Sequence, residues 1–186
     1  MPVDVNQLRK GATFLEDGQI WKVLSYSHHK PGRGNATIRL AVRNMRNGSS
    51  REMTYNSGER VQDIRVESRE VEFLYGDSEF LTFMDLETYE QPQIRRDVFG
   101  DDVLFLKENL KLTLSSYEGE IIDYELPTTV DLKVVEAEPG YAGDTANNPT
   151  KKVTLETGLS INVPLFVNDG DTIRIKTEDA SYQTRV

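Results

Sequence analysis

The chain has 186 residues, 37% of them apolar, a net charge of −9 and no cysteine, which excludes disulfide-bonded folds, thiolate metal sites and cysteine nucleophiles. It contains neither the apolar core of a signal peptide nor an apolar run of roughly 18 residues, so we expect a cytoplasmic protein without a membrane span. This apolar content suits several small β domains better than one large core.

The charge is unevenly distributed along the chain. Residues 1–64 carry ten Lys and Arg against six Asp and Glu, whereas residues 65–186 carry twelve against twenty-five. This asymmetry indicates that residues 1–64 form a basic region able to bind phosphate groups and that residues 65–186 are acidic. The basic cluster comprises Lys30, Arg33, Arg39, Arg43, Arg46 and Arg51.

Short strands joined by tight turns dominate the first 64 residues. Asp17-Gly18 predicts a two-residue hairpin turn before a strand at 19–24, and Asn47-Gly48 predicts a type I′ turn. Between them, residues 37–43 alternate apolar and basic side chains, so the arginines should share one face of a strand. About five strands with turns every 8–12 residues predict a small barrel.

The segment 27–37 predicts an exposed hairpin tip. Pro31-Gly32 suits the centre of a type II turn, because proline presets φ and glycine accepts a positive φ. Gly34 adds a second flexible point, which leaves Arg33 near the tip with little apolar material to bury it. The segment is either a solvated turn or a device that presents a guanidinium on a stalk.

Two further sets of strands follow. The second has strands at 70–75, 79–84, 89–94, 110–117 and 120–125, with one helical turn at 101–106. After a linker at Pro127-Thr128-Thr129, the third has strands at 130–137, 152–156, 160–164 and 172–177. Five strands with a small helix are typical of an OB-fold, which commonly binds nucleic acid.

No constellation of residues indicates catalysis. His28 and His29 are the only histidines, and adjacent strand residues point to opposite faces, so we predict no metal site. The segment 32–37 begins like a dinucleotide fingerprint but lacks its third glycine. No carboxylate pair stands out, and we therefore predict no catalytic residue and no cofactor.

Several segments resemble the elongation factor P family of bacteria, in register over essentially the whole chain. The hairpin sequence His29-Lys30-Pro31-Gly32-Arg33-Gly34-Asn35-Ala36 is similar to the family's functional loop. Other similar segments are Tyr55-Asn56-Ser57-Gly58-Glu59-Arg60, Phe83-Met84-Asp85-Leu86-Glu87-Thr88-Tyr89-Glu90-Gln91, Leu132-Lys133-Val134-Val135, Gly143-Asp144-Thr145, Thr154-Leu155-Glu156-Thr157-Gly158 and Val163-Pro164-Leu165-Phe166-Val167.

This resemblance implies an all-β fold of three small β-barrels in an elongated L shape. The N-terminal barrel would be SH3-like, of the KOW type, and the two following barrels would be OB-folds. We place the domains at residues 1–64, 65–127 and 128–186.

The resemblance also implies a monomeric factor that binds the 70S ribosome between the P and E sites, touching both subunits. It would contact P-site peptidyl-tRNA, especially prolyl-tRNA, and relieve stalling at consecutive prolines. Carried over by position, Arg33 takes the tip role, with Lys30, Pro31, Gly32, Gly34 and Asn35 shaping and charging the loop. Gly143, Asp144 and Thr145 match a loop near the small subunit and the mRNA at the E site. We interpret Glu156-Thr157-Gly158 as a hairpin corner.

The tip also bears on covalent modification. Family members carry either a β-lysylated lysine or a rhamnosylated arginine here, and Arg33 excludes the lysine type. Its Lys30-Pro31-Gly32 context nevertheless resembles the lysine-bearing subgroup, so we expect Arg33 to be unmodified or modified by an unassigned route. Alternative functions are an elongation factor P-like paralogue on the same scaffold, a general single-strand nucleic-acid binder, and an enzyme.

Overall fold

The fold is nearly all β and is built from three curled sheets. The computed structural model describes residues 1–30, 36–140 and 149–186. Helical structure in those ranges is limited to the 3-10 helices Val5–Gln7, Arg96–Val98 and Gly100–Phe105. None of the helices in the described part of the chain is long and apolar enough to cross a membrane. The sheets confirm the prediction of three small β-barrel domains.

The first sheet has six strands, one more than the sequence predicted. They are β1 Pro2–Asp4, β2 Thr13–Glu16, β3 Gln19–His29, β4 Thr37–Asn44, β5 Ser50–Asn56 and β6 Arg60–Asp63, in the spatial order β1-β6-β2-β3-β4-β5. Phe14, Ile38 and Leu40 are fully buried inside it. Alternation on β4 sends Ile38 and Leu40 inward and Arg39 outward, as the period of two predicts.

The two Asx-Gly turns of this sheet behave differently. Asp17 and Gly18 have φ values of 52° and 71°, and Glu16 pairs with Gln19, so the predicted two-residue hairpin turn is confirmed. The prediction for Asn47-Gly48 was wrong. β4 and β5 are joined by a longer loop, because the Asn44 side chain accepts hydrogen bonds from the backbone N–H groups of Arg46 (2.9 Å) and Asn47 (3.1 Å). Gly48 takes a positive φ of 73°, whereas Asn47 does not.

The middle sheet has five strands. They are β7 Glu67–Gly76, β8 Phe80–Asp85, β9 Gln93–Arg95, β10 Lys111–Tyr117 and β11 Glu120–Glu125, in the order β11-β10-β7-β8-β9. The strand predicted at 89–94 shrinks to β9, because the chain turns after Asp85 and Tyr89 takes a φ of 60°. Phe83 stacks on Phe99 and meets the edge of Phe73, with ring centroids 5.5 Å apart in both pairs.

The turn after β8 depends on the carboxylate of Asp85. It accepts hydrogen bonds from the backbone N–H groups of Glu87 (2.8 Å) and Thr88 (2.9 Å) and lies 3.1 Å from Nη1 of Arg69. The backbone donors, and after them Arg69, hold the pKa of Asp85 below its ordinary value. The pKa of Asp85 is lower in the folded protein than in the unfolded chain. Its carboxylate therefore stabilises the fold fully at pH values above the unfolded pKa, and this stabilisation is lost as the pH falls through the folded pKa.

We therefore expect Asp85→Asn to destabilise the protein at pH 7 and to cost progressively less below about pH 4, where the wild-type carboxylate becomes protonated in the unfolded chain. Melting temperatures of both proteins between pH 7 and pH 2.5 measure this difference. Asp101→Asn, at an exposed carboxylate of the same domain, is the control. A gap between wild type and Asp85→Asn that does not change with pH would contradict the assignment.

The third sheet also has five strands, of which the last was not predicted. They are β12 Thr129–Ala137, β13 Thr150–Leu155, β14 Ser160–Pro164, β15 Thr172–Lys176 and β16 Tyr182–Arg185, in the order β14-β13-β12-β15-β16. Strand β16 has no buried residue and hence no apolar alternation to reveal it. The predicted linker is tied to this sheet, because Thr177 donates hydrogen bonds to the carbonyl oxygens of Pro127 (2.6 Å) and Thr128 (3.1 Å).

By contact density the chain separates into two compact units, residues 1–68 with 114–124, and residues 69–113 with 125–186. In the first unit, Ile20, Ile64 and Ile122 share one apolar cluster. Lys22 lies 2.8 Å from Asp123, so strand β11 is also held by an ion pair. The boundaries 1–64, 65–127 and 128–186 stay a prediction.

Candidate functional site

The candidate site is the hairpin formed by β3 and β4. Its arms stay paired to the end, with Ser27 opposite Arg39 and His29 opposite Thr37. Lys30, the last described residue before the tip, is exposed. On the return arm the Ala36 carbonyl accepts a hydrogen bond of 2.9 Å from the N–H of Ser57, which ties the base of the tip to the turn after β5. The remaining predicted tip residues lie outside the described residues: Pro31, Gly32, Arg33, Gly34 and Asn35.

A β-bulge at Leu24 sets the faces of the hairpin arm. The register shifts between Val23 and Ser25, so that Val23 pairs with Val42 and Ser25 pairs with Ala41. One extra residue inverts the alternation beyond it and increases the local twist of the strand. As a result Tyr26 continues the inward face, whereas Ser27 continues the outward face.

The two histidines lie on opposite faces of β3. His28 pairs with Ile38 and His29 pairs with Thr37, and both side chains are exposed. Among the residues that the structure describes, no group of three or more His, Asp and Glu side chains is arranged to hold a metal ion.

The structure divides the predicted basic cluster into two groups. Arg46 lies 3.0 Å from Glu120, and the guanidinium of Arg51 stacks 4.2 Å from the centre of the Trp21 ring, so both have structural partners. Arg39 and Arg43 are exposed on the outward face of β4 and form no ion pair with any residue in the described ranges. These two arginines, with Lys30, are the cations that the described part of the hairpin offers to a ligand.

Tyr55 supports the hairpin from inside. It pairs with Ile38 of β4, and its hydroxyl donates a 2.8 Å hydrogen bond to Oε2 of Glu16. Burial first, and then this bond to a carboxylate, raise the pKa of Tyr55 well above its usual value, so it stays neutral at physiological pH. Tyr55 therefore has a structural role beneath β4.

Of the predicted third-domain loop, the structure describes only the residues that lead into it, up to Gly140. Gly143, Asp144 and Thr145 lie outside the described residues. A Cβ added at Gly140 would lie 2.7 Å from Cδ2 of Leu165, so the chain leading to this loop packs closely against Leu165.

Next to Leu165 lies an aromatic cluster that sequence reasoning missed. Phe166 is 56% exposed, Arg185 lies 5.5 Å from its ring centre, and the Tyr182 ring is 6.5 Å away edge-on. Arg185 is also 3.5 Å from Asp171. Its three members are spread over twenty residues of sequence, so only the paired strands reveal the cluster.

The residues Glu156, Thr157 and Gly158 form a structural corner. Oε1 of Glu156 accepts a 2.9 Å hydrogen bond from the N–H of Lys133, and Oγ1 of Thr157 donates a 2.6 Å bond to the carbonyl of Leu104. Gly158 has a φ of 88°, in the region that favours glycine. The contacts agree with the hairpin corner that we predicted.

Comparison with family models gives three matches in chain order. The model described as "Elongation factor P (EF-P) KOW-like domain" matches residues 4–61, "Elongation factor P (EF-P) OB domain" matches residues 66–124, and "Elongation factor P, C-terminal" matches residues 130–185. Together they span nearly the whole chain.

Solved structures of related architecture also match. The "Eukaryotic translation initiation factor 5A from Methanococcus jannaschii" superposes with a TM-score of 0.54 at 20% identity, over 68% of this chain and 92% of that one. The "Translation initiation factor eif-5a family protein from Naegleria fowleri ATCC 30863" matches with a TM-score of 0.49 at 15% identity, over 68% and 98% of the two chains. At such identity the first likeness shows a shared fold.

Proposed function

The chain belongs to the elongation factor P family of translation elongation factors, and on that premise we propose that it binds the ribosome between the P and E sites and stimulates peptide-bond formation at consecutive prolines. The family consists of translation factors that bind the ribosome, not of enzymes. The observation that carries the proposal is the β3–β4 hairpin, which ends in the basic tip sequence and displays Arg39 and Arg43 outward.

The proposed mechanism is positioning. Proline is a weak nucleophile with a rigid ring, so the alignment of the P-site and A-site substrates can limit the reaction. A factor that holds the end of the P-site tRNA and the nascent chain in a reactive geometry removes an entropic part of the barrier without covalent chemistry. We propose Arg33 as the contacting group at the tip, with Lys30, Pro31, Gly32, Gly34 and Asn35 shaping the loop.

A second contact is proposed in the third domain. We place Gly143, Asp144 and Thr145 against the small subunit and the mRNA at the E site. The exposed Phe166 ring and Arg185 lie beside the start of this loop, and an aromatic ring next to a guanidinium suits contact with unpaired RNA bases.

The direct experiment is peptide-bond formation on a Pro-Pro-Pro message in a reconstituted translation system. The protein is purified in recombinant form and its mass at Arg33 is verified as unmodified. Strong acceleration of tripeptide synthesis supports the proposal and means that the bare guanidinium suffices. Weak acceleration with intact ribosome binding means that Arg33 requires a modification, and absence of both ends the proposal.

The outward arginines of β4 lead to a separate prediction. The double variant Arg39→Ala/Arg43→Ala should bind ribosomes about tenfold more weakly, equivalent to about 1.4 kcal/mol, because two contacts to RNA phosphate are lost. Its affinity should also depend less steeply on salt than that of the wild type. Sedimentation with 70S ribosomes over a range of KCl concentrations measures both quantities.

The control for that experiment is Arg65→Ala/Lys176→Ala, which removes the same charge at two exposed positions outside the hairpin. If both double variants lose the same affinity, net charge explains the effect and the hairpin face does not.

A further inference from the structure

The outgoing arm of the hairpin loses one of its neighbouring strands before it reaches the tip. β2 pairs with β3 only from Gln19 to Lys22. On that side the last backbone hydrogen bonds join Val23 to Gly11 (2.8 Å) and Ala12 (2.9 Å). Beyond Val23, β3 pairs only with β4 in the described part of the chain. Backbone hydrogen bonds therefore support this arm along one edge, and side-chain contacts decide how firmly the other edge is held.

The direction of this arm matters because the arm is long. From Val23 to His29 it extends about 20 Å at about 3.3 Å per residue. A tilt of about 5° at Val23 therefore displaces the end at His29 by about 2 Å. A misplacement of about 1 Å costs about a hundredfold in the rate of a reaction that depends on alignment. Contacts that prevent such a tilt control the rate of the reaction that the tip serves.

Residues 4–9, which we call the brace, lie next to the base of the hairpin. The brace contains the 3-10 helix Val5–Gln7 and is anchored in the barrel by Val5 and Leu8, which are both buried in its apolar core. The N–H of Val5 donates a 2.9 Å hydrogen bond to the carbonyl of Glu59, in the turn between β5 and β6. The brace is therefore fixed to the barrel and to this turn.

The brace reaches the return arm through Ser57. Nδ2 of Asn6 donates a 3.1 Å hydrogen bond to Oγ of Ser57, which donates a 3.2 Å bond back to Oδ1 of Asn6. The Asp4 carboxylate orients Asn6, because it accepts hydrogen bonds from Nδ2 (2.6 Å) and from the backbone N–H (2.8 Å). Since the N–H of Ser57 bonds to the carbonyl of Ala36, this chain of contacts ends on the return side of the tip.

The brace reaches the outgoing arm through Arg9. Its guanidinium lies 5.3 Å from the centre of the Tyr26 ring, which is on the part of β3 that β2 no longer covers. Nη1 of Arg9 donates hydrogen bonds to the carbonyl oxygens of Asn6 (2.8 Å) and Leu8 (2.7 Å), so the end of the 3-10 helix holds the guanidinium in place. Tyr26 itself packs against the core of the first sheet. Arg9 thus supplies support that β2 does not give.

We propose that Asn6 and Arg9 are positioning residues for the hairpin tip: each holds one arm, and together they fix the direction in which the tip leaves the barrel. The inference rests on the proposed function, because alignment at the reacting end of the tRNA is the property that the brace serves. It also gives a role to the segment 55–60, in which Ser57 and Glu59 receive the contacts of the brace.

A distance measurement tests whether the brace holds the arm. The chain has no cysteine, so two spin labels can be attached at His28→Cys on the arm and Gln62→Cys on β6. Both positions are exposed. We expect double electron–electron resonance to give one narrow distance distribution. Adding Asn6→Ala/Arg9→Ala should broaden or shift it by about 2 Å, as a tilt of about 5° requires.

Gln7→Ala/Lys10→Ala is the matched control. It also removes one amide and one positive charge, from two exposed side chains of the same region. Neither side chain forms a hydrogen bond or an ion pair with a residue of the described ranges. The labelled control should therefore keep the distance distribution of the wild type.

Kinetics on a Pro-Pro-Pro message tests the positioning role. Asn6→Ala/Arg9→Ala should lower the rate of tripeptide formation at saturating factor about tenfold and leave the half-saturating factor concentration within about twofold of the wild type. The control should match the wild type in both quantities. All variants are assayed below the onset of their thermal unfolding, so that the rate reports the arm and not a loss of folded protein.

The other outcomes overturn the inference. An unchanged distance distribution, a wild-type rate or a loss shared by the control rejects the brace. A higher half-saturating concentration with an unchanged maximal rate means that Arg9 binds the ribosome directly, and rejects its positioning role. If the wild type itself fails to stimulate synthesis, the proposed function is wrong and the positioning role fails with it, whereas a broadened distance distribution would still show that Asn6 and Arg9 hold the arm.

Discussion

Replacing Arg33 by alanine is expected to abolish the acceleration of Pro-Pro-Pro synthesis and to leave ribosome binding within about threefold of the wild type. In the mechanism we propose, the three domains and the cations of β4 supply binding, whereas the tip supplies alignment at the reacting end of the tRNA. A small error of alignment costs on the order of a hundredfold in rate. Tripeptide formation at saturating factor separates the loss of rate from a loss of affinity.

Two variants make this experiment specific. Arg33→Lys keeps the charge but not the planar guanidinium, so partial activity would show that geometry contributes beyond charge. Arg65→Ala removes an exposed arginine outside the hairpin and should behave as wild type. If Arg33→Ala stimulated Pro-Pro-Pro synthesis as strongly as the wild type, the Arg33 side chain would not be the group that aligns the tRNA. The backbone of the loop would then be the next group to test.

Phe83→Ala is expected to cause the largest loss of stability. The ring is fully buried and contacts Phe73 and Phe99 at centroid distances of 5.5 Å. Truncation of a buried phenylalanine costs about 3–5 kcal/mol, since it removes apolar contacts and leaves a cavity. The free energy of unfolding, measured with urea and monitored by backbone exchange in residues 69–113, gives this cost.

Phe80→Ala is the matched control, because it removes the same group from the same strand three residues earlier, where the ring is partly in water. We expect it to cost about 1 kcal/mol or less, in proportion to the apolar area that leaves water. Equal losses for the two variants would mean that the aromatic stack around Phe83 is not the core of this sheet.

Local chemistry explains which turns could be predicted. Asp17-Gly18 and Glu118-Gly119 both have positive φ values and connect adjacent strands. Asn47-Gly48 carries the same signal, yet the side chain of Asn44 captures two backbone N–H groups and enforces a longer loop. The hydrogen bonds to the Asn44 side chain, three residues before Asn47, therefore outweigh the preference of Asn47-Gly48 for a two-residue turn.

The strands that were predicted incorrectly from the sequence are short or exposed. β9 was predicted too long. The carbonyls of Glu90 and Pro92 do accept hydrogen bonds from the backbone N–H groups of Asp85 (2.8 Å) and Phe83 (3.0 Å), but Pro92 has no N–H with which to continue the ladder. β16 was not predicted, because its side chains are exposed or half-buried and show no apolar period. For β16, pairing with β15, and not the local sequence, creates the strand.

By itself the sequence determined the all-β class, the hairpin with its basic tip and the family, because turn residues, strand alternation and loop motifs are local properties of the chain. Tertiary structure alone decided which cations remain available. Arg46 is held by Glu120 and Arg51 by Trp21, whereas Arg39 and Arg43 face outward. Such pairings join residues up to 74 positions apart, and the bulge at Leu24 depends on register across two strands. Side-chain partners and strand faces depend on which residues are close in three dimensions, and this cannot be read from neighbouring residues in the sequence.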